Sequence, residues 1–200
     1  MKRENICRIF SNMPTLKTDR FILRKLSIDD TDDMYEYAKN ADVTRYLTWS
    51  PHVNKAFTLE YLTYLQTRYK AGEFYDWAII SQENGKMIGT CGFTKFDCKN
   101  DMAEIGYVIN PEYHGRGIAT EVVGRVIKYG FENLMLNRIE CRFIEGNDAS
   151  RRVMEKNGMH FEGIMRGGML IKGEYKNIGI CSILRKDFFE KEQFSLAKQR

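Results

Sequence analysis

The most constraining feature of the sequence is a β-strand followed directly by a glycine-containing turn and an amphipathic helix. The apolar run Ile105 to Ile109 ends at Asn110-Pro111, and apolar side chains then recur every four residues over 118–131, as in a helix with one buried face. A second apolar run, Arg138 to Ile144, predicts the next strand. Because a helical crossover places its two strands side by side and in the same direction, this stretch predicts a parallel strand pair.

The rest of the chain alternates between strand and helix patterns, in the overall order β-α-α-β-β-β-α-β-α-β-β. The first strand covers Arg20 to Leu26, and the first helix follows with Ser27 as its expected N-cap and Asp30 three residues later. A second helix is predicted from about Lys55 to Ala71. Hairpins and helical crossovers both occur along the chain, so the sheet must be mixed. The pattern predicts a single-domain α/β (α+β) fold.

Length and composition restrict the class of protein. Two hundred residues are enough for one domain with a sizeable core, and the net charge of +4 comes from 31 basic and 27 acidic residues mixed along the chain. The basic residues are not clustered in the way that indicates direct nucleic-acid binding. No apolar stretch approaches the roughly 18 residues of a membrane span. Five scattered cysteines and three scattered histidines predict neither a disulfide framework nor a metal site, and fit a reducing cytoplasm.

The glycine turn has the features of an anion site. Unpaired N–H groups converge at the start of a helix, and the helix dipole adds to their attraction for negative charge. Gly115 and Gly117 let the main chain approach a phosphate and adopt positive φ, while Arg116 adds charge and Thr120 a hydroxyl. The turn lacks the Gly-Lys-Ser/Thr of a Walker loop and the third glycine of a dinucleotide fingerprint.

This turn resembles the pyrophosphate loop of the GCN5-related N-acetyltransferase (GNAT) family, whose pattern is Gln/Arg-x-x-Gly-x-Gly/Ala. The chain has His114-Gly115-Arg116-Gly117-Ile118-Ala119, which departs from the pattern in the histidine at the first position. The resemblance extends over 15–188, where the matching segments are similar in order and spacing to those of the RimJ/RimL-type branch. Its segments include TDRFILRKLSIDD, MIGTCGF, AEIGYVINPEYHGRGIATE and RIECRFIEGNDASRRVMEKNGMHFEG. It implies a domain at 15–188. The first residues, 1–14, are predicted to form a loose N-terminal arm, and residues 189–200 a C-terminal tail.

The resemblance implies a mostly antiparallel sheet with a splayed parallel pair, helices on both faces, and direct acetyl transfer from acetyl-CoA to a primary amine. Glu104 is implied as the base that deprotonates the amine, and Ser150 as the acid that protonates the CoA thiolate. Main-chain groups of the strand and the loop, together with the Asn-x-x-Ser pair, are implied as the acetyl-CoA contacts. These contacts are Tyr107, Val108, Ile109, His114, Gly115, Arg116, Gly117, Ile118, Ala119, Thr120, Asn147 and Ser150. No metal is implied.

Several of these residues have an ordinary structural interpretation as well. Glu104 also fits a strand-face carboxylate paired with a neighbouring Arg or Lys. Asn147 is an expected helix N-cap with Ser150 in its first turn. Tyr107 fits core packing, since a tyrosine in a strand more often packs than reacts. Cys141 fits a small buried apolar group.

The acceptor amine is the least constrained part of the prediction. The resemblance implies a protein or peptide N-terminal amine, as in the ribosomal-protein acetyltransferases, with polyamines, amino acids and antibiotics as alternatives. A CoA-binding sensor without catalysis also stays open. Trp49, in a loop before Pro51, and Tyr175, in the last hairpin turn, are candidate acceptor contacts. The expected state is a monomer or homodimer in the cytoplasm.

Overall fold

A computed structural model describes residues 2–197 of the chain, and an eight-stranded mixed sheet forms its centre. The strands are β1 (Leu16–Lys17), β2 (Phe21–Arg24), β3 (Asp76–Ser81), β4 (Met87–Asp97), β5 (Met102–Ile109), β6 (Arg138–Ile144), β7 (His160–Ile171) and β8 (Glu174–Leu184). They lie in the order β1-β2-β3-β4-β5-β6-β8-β7, and every neighbouring pair is antiparallel except β5 and β6. The predicted mixed, mostly antiparallel sheet is confirmed.

Seven helices accompany the sheet within residues 2–197. They are α1 (Arg3–Ser11), α2 (Thr31–Ala38), α3 (Ala41–Thr44), α4 (Lys55–Lys70), α5 (Ile118–Glu132), α6 (Asp148–Lys156) and α7 (Arg185–Ala197). A short 3-10 turn, Ile28–Asp30, precedes α2. The expected cap lies at this turn, where Ser27 and Asp30 form a reciprocal capping box.

The helices cover both faces of the sheet, as predicted. Alternate side chains of β3 point to opposite faces: Trp77 lies in the larger core with α1 and α5, and Ala78 lies in the smaller core with α2 and α4. Val122, Val126 and other apolar residues of α5 are buried in the larger core. The stripe read from the sequence is therefore the buried face of this helix.

The parallel pair of β5 and β6 is joined over only part of its length. Paired positions run from Met102 with Arg138 to Ile105 with Cys141, and pairing between the two strands stops there. Beyond this point β5 remains paired with β4 as far as Ile109, while β6 remains paired with β8. Each strand keeps its outer partner, so the sheet opens between them. The predicted splay is confirmed.

The first residues of the chain differ from the loose arm that the sequence predicted. Residues 3–11 form α1, and its Phe10 is completely buried. The Phe10 ring lies 5.0 Å from that of Tyr75, 5.7 Å from that of Trp77 and 6.2 Å from that of Phe93, all in edge-to-face arrangements. Helix α1 therefore contributes to the larger core, and the prediction of a loose arm is wrong for these residues.

The C-terminal segment forms a helix over most of its length. Helix α7 follows β8 without a break, and its Phe188 and Phe189 pack against the larger core. The part of the predicted tail at 198–200 lies outside the described residues. The domain limits at residues 15 and 188 stay predictions.

Candidate active site

A cleft of about 430 Å³ lies where β5 and β6 separate. One wall comes from the open end of β5 and from the glycine turn, and the other from α6. The cleft is lined by every acetyl-CoA contact that the sequence predicted except Arg116: Tyr107, Val108, Ile109, His114, Gly115, Gly117, Ile118, Ala119, Thr120, Asn147 and Ser150. Segments far apart in the chain thus meet at the splay.

The glycine turn has the main-chain conformation that an anion site requires. Gly115 and Gly117 have φ of +75° and +73°, in the left-handed region that favours glycine. Gly117 is the N-cap residue of α5, and no side chain hydrogen-bonds to the first turn from that position. In contrast, Asn54 caps α4 and Asn147 caps α6 through their side-chain oxygens. The first N–H groups of α5 therefore face the cleft without a side-chain cap.

His114 connects the turn to the end of β5. Its Nε2 lies 2.9 Å from the main-chain oxygen of Ile109, within hydrogen-bond distance. Asn110 is buried at this corner, and its side-chain oxygen accepts from the N–H of Glu112. The histidine that departs from the family pattern is thus used to hold the turn against the strand.

Two hydroxyl groups meet across the cleft between β5 and α6. The Tyr107 hydroxyl lies 2.8 Å from Ser150 Oγ, and it donates to the Ser150 main-chain oxygen at 3.0 Å. Asn147 caps α6 by accepting from the Ser150 N–H at 3.2 Å. Burial raises the pKa of the Tyr107 phenol, and the hydrogen bond with Ser150 opposes this. Tyr107 therefore keeps its proton at neutral pH. Its position combines core packing with a polar contact that the sequence alone did not indicate.

Glu104 lies on β5 outside the lining of the cleft. Its Oε2 is 3.1 Å from Arg142 Nε, and its Oε1 accepts from the Thr94 hydroxyl at 3.2 Å. Arg142 also lies 3.6 Å from Glu140. The ion pair that the sequence left open as an alternative is therefore present, and it fixes the position of the Glu104 carboxylate.

The two candidate acceptor contacts do not reach the cleft. The Trp49 ring lies 5.4 Å from the His52 ring beside the smaller core, and Tyr175 on β8 is 76% exposed. The far end of the cleft is instead lined by residues of α3 and the loop after it, including Asp42 and Tyr46. Lys172 of the β7–β8 turn donates to the Thr44 main-chain oxygen at 2.6 Å and so holds this segment across the splay.

Sequence reasoning also missed two basic residues in the wall of the cleft. Arg152 and Lys156 of α6 line it together with Ala149 and Val153. Their spacing of three and four residues places all four on one face of the helix, a signal that the sequence does contain. The segment around α3 gives no comparable signal, because tertiary contacts, among them the hydrogen bond from Lys172, bring it to the cleft.

Metal-binding clusters and membrane-spanning helices are both absent from residues 2–197. No group of three His, Cys, Asp or Glu side chains there is arranged to hold a metal ion. No helix in that part of the chain is both long and apolar enough to cross a membrane.

The fold and the cleft agree with comparisons with known proteins. A model described as an acetyltransferase (GNAT) domain matches residues 20–160. An N-acetyltransferase of Bacillus licheniformis named p20 is 32% identical over 176 residues, covering 88% of this chain and 99% of that protein. The crystal structure of a GNAT-family acetyltransferase from Bacillus anthracis has a TM-score of 0.77 at 27% identity, covering 86% and 99% of the two chains. The chain belongs to the GNAT family. Its activity is that of an N-acetyltransferase.

Two solved structures with lower identity share the fold. RimL, a ribosomal L7/L12 α-N-protein acetyltransferase in complex with coenzyme A, has a TM-score of 0.74 at 19% identity, covering 86% of this chain and 98% of RimL. A spermidine N-acetyltransferase from Vibrio cholerae, in complex with CoA and spermine, has a TM-score of 0.73 at 20% identity, covering 86% and 99%. GNAT proteins of this fold thus bind CoA while their named acceptors differ.

Proposed function

We propose that this protein transfers the acetyl group of acetyl-CoA to the N-terminal amine of a protein or peptide, by direct attack within a ternary complex. The observation that carries the proposal is the cleft at the splay. It joins the uncapped first turn of α5 to a pair of hydroxyl groups and to a free stretch of strand edge.

The residues present fit acetyl-CoA. Its diphosphate would be held by the main-chain N–H groups of residues 115–120, because glycines at positive φ leave them accessible and a helix N-terminus favours negative charge. Its pantetheine arm would lie in the gap along 107–109, where β5 has no partner on the β6 side. Arg116, just outside the lining, adds positive charge at the mouth of the cleft.

The reacting carbonyl needs hydrogen-bond donors for the negative charge it gains, and the departing sulfur needs a proton. We assign the first role to the main-chain N–H groups of Tyr107 and Ile109, because those of Val108 and Asn110 point to β4. We assign the second to the Ser150 hydroxyl, supported by the Tyr107 hydroxyl 2.8 Å away. Because the Tyr107 phenol stays protonated at neutral pH, it would orient the Ser150 hydroxyl, and Ser150 would regain its proton from water. Both hydroxyls line the cleft where the strands separate.

The attacking amine must lose a proton, because an ammonium group has no lone pair. We propose that Glu104 accepts this proton through intervening water, since its carboxylate lies on β5, three residues before Tyr107, and outside the lining of the cleft. Arg142 would hold the carboxylate in one orientation during the transfer. A positioned base typically contributes a factor of about 10² to 10⁴ to the rate.

A peptide acceptor is supported by the likeness to RimL, which is named for acetylating a ribosomal protein. We propose that the peptide enters at the end of the cleft lined by the segment around α3. The competing acceptor is a small-molecule amine, which the likeness to a spermidine acetyltransferase supports. Assays with both kinds of acceptor distinguish a peptide amine from a small-molecule amine.

The test is release of the CoA thiol from acetyl-CoA with a panel of acceptors: N-terminal peptides of ribosomal proteins, polyamines and aminoglycosides. Thiol release with the peptides, together with one added acetyl group on their N-terminal amine by mass spectrometry, is the expected result. Release only with a small-molecule amine would replace the proposed acceptor. Tight acetyl-CoA binding without release in the presence of any amine would identify a sensor and overturn the catalytic proposal.

A further inference from the structure

Arg20 contacts the glycine turn and is not among the residues that line the cleft. It lies just before β2, and its Nη1 donates to the main-chain oxygen of Arg116 at 3.1 Å. The two residues are 96 positions apart in the chain. The guanidinium also approaches Gly117, where its Nη2 is 3.9 Å from the place that a Cβ would occupy. A residue outside the predicted site therefore touches the part of the main chain that would bind the diphosphate.

Glu121 holds Arg20 in this position. Arg20 Nε donates to Glu121 Oε2 at 2.7 Å, and Arg20 Nη2 lies 2.6 Å from the same oxygen. The Arg20 main-chain N–H donates to Glu121 Oε1 at 3.2 Å. Partial burial opposes ionisation, but hydrogen bonds from Thr18 and Arg20 lower the pKa of Glu121. The carboxylate is therefore charged at neutral pH, and it fixes the plane of the guanidinium.

The contact with the Arg116 oxygen sets the direction of the next N–H group. In a planar trans peptide the C=O of one residue and the N–H of the following residue point in opposite directions. Since Arg20 binds the Arg116 oxygen, the Gly117 N–H must point away from Arg20. Glycine permits both orientations of this peptide, so the local chain alone does not select one.

Arg20 also compensates a charge. Glu121 lies in the first turn of α5, close to the N–H groups that would receive the diphosphate. A carboxylate there would repel an anion unless a cation neutralised it. The guanidinium of Arg20 is that cation.

We propose that Arg20 is a positioning residue for the diphosphate of acetyl-CoA, which fixes the peptide between Arg116 and Gly117 while Glu121 holds it in place. This inference rests on the proposed function, because it assumes that the glycine turn binds the diphosphate. It adds a residue from the β2 end of the sheet to a site otherwise built from β5, α5 and α6.

The test compares two acetyl donors, acetyl-CoA and S-acetylpantetheine, which has the same thioester but no diphosphate. Arg20→Met is expected to raise the KM for acetyl-CoA about tenfold with little change in kcat, since it removes charge-assisted hydrogen bonds. Its kcat/KM for S-acetylpantetheine should equal that of the wild type. Calorimetry with coenzyme A and with pantetheine provides the same comparison from binding alone.

Arg125→Met is the matched control. Arg125 lies one turn further along α5 and donates from Nε to the main-chain oxygen of Lys17 at 3.1 Å, so it also ties this helix to the N-terminal strands. Arg125→Met should leave kcat/KM for both acetyl donors at the wild-type value. Two results would each show that Arg20 is only a structural contact and would overturn the inference. In the first, Arg20→Met loses as much kcat/KM with S-acetylpantetheine as with acetyl-CoA. In the second, Arg125→Met loses as much kcat/KM with acetyl-CoA as Arg20→Met does.

A double variant separates the two effects of Arg20. Arg20→Met with Glu121→Gln removes the uncompensated charge but leaves the peptide free, so the KM for acetyl-CoA should stay above the wild-type value. Full recovery of the wild-type KM would contradict the positioning role. A wild-type protein that used neither donor, with no binding of coenzyme A, would instead reject the proposed function itself.

Discussion

Replacing Gly115 with alanine tests whether the glycine turn is used for ligand binding or only for its shape. Gly115 has φ of +75°, and a Cβ there would meet nothing within 4 Å, so the protein can accommodate the methyl group. Gly85, in the turn between β3 and β4, has φ of +71° and equally open surroundings. Both substitutions therefore place alanine in the same left-handed backbone conformation, but only position 115 lies in the cleft.

The expected cost in folding stability is small and the same at both positions. Alanine in the left-handed region costs about 1–2 kcal/mol, and its lower freedom in the unfolded chain returns about 0.4–1 kcal/mol. The net loss is about 1 kcal/mol, or a Tm roughly 2–4 °C lower for a chain of this size. Thermal unfolding without ligand should give this value for both Gly115→Ala and Gly85→Ala.

The two variants should differ once acetyl-CoA is added. A methyl group at Gly115 would stand where the diphosphate approaches the main chain, and we expect binding at least about tenfold weaker, or about 1.4 kcal/mol. At a concentration 100 times the wild-type Kd, acetyl-CoA should stabilise the wild type and Gly85→Ala by about 2.7 kcal/mol, and Gly115→Ala by only about half of this. Equal stabilisation of both variants would refute the assignment of the diphosphate to this turn.

Three further predictions address the reaction, the core and the pH dependence of stability. Ser150→Ala should lower kcat by about 10-fold or more with acetyl-CoA binding retained, and Tyr107→Phe should have a smaller effect in the same direction; unchanged kcat in both would remove the acid role. Phe10→Ala should cost about 3–5 kcal/mol in urea unfolding, because the ring is fully buried, while Phe57→Ala, at a ring 47% exposed, should cost far less; equal values would contradict the packing of α1. Burial raises the pKa of the Asp76 carboxyl to about 7, although the Thr90 hydroxyl opposes this. The carboxyl therefore ionises at a lower pH in the unfolded chain than in the folded protein. The free energy of unfolding should fall by as much as about 4 kcal/mol between pH 4 and about pH 7 and stay level above. Asp76→Asn should remove this fall, and an unchanged pH profile in that variant would show that Asp76 is not responsible.

The sequence predicted the parts of the site that local chemistry defines. The glycines at 115 and 117 indicated positive φ, and the apolar stripe after them indicated a helix with one buried face. A strand, a crossover helix and another strand then required a parallel pair. These signals are readable because they involve conformational preferences and spacings within a few residues of one another.

The end of the cleft lined by α3 and the loop after it illustrates what the sequence did not indicate. Trp49 was predicted there from its loop position, but its ring packs beside His52, and Tyr46 lines the cleft. Both are aromatic residues near α3, and nothing in their immediate neighbours distinguishes them. Which of the two lines the cleft is a property of the folded chain, where Lys172 donates to the main-chain oxygen of Thr44, two residues before Tyr46.

By itself, then, the sequence determined the strand–turn–helix unit, the mixed sheet and the family to which the chain belongs. The tertiary structure alone decided that α1 completes the core, that Tyr107 meets Ser150, and that Arg20 holds the glycine turn. The physical reason is that backbone conformation depends on nearby residues, whereas a side-chain contact depends on where the sheet brings distant segments together. A phenylalanine, a tyrosine or an arginine carries no mark of a partner located many residues away.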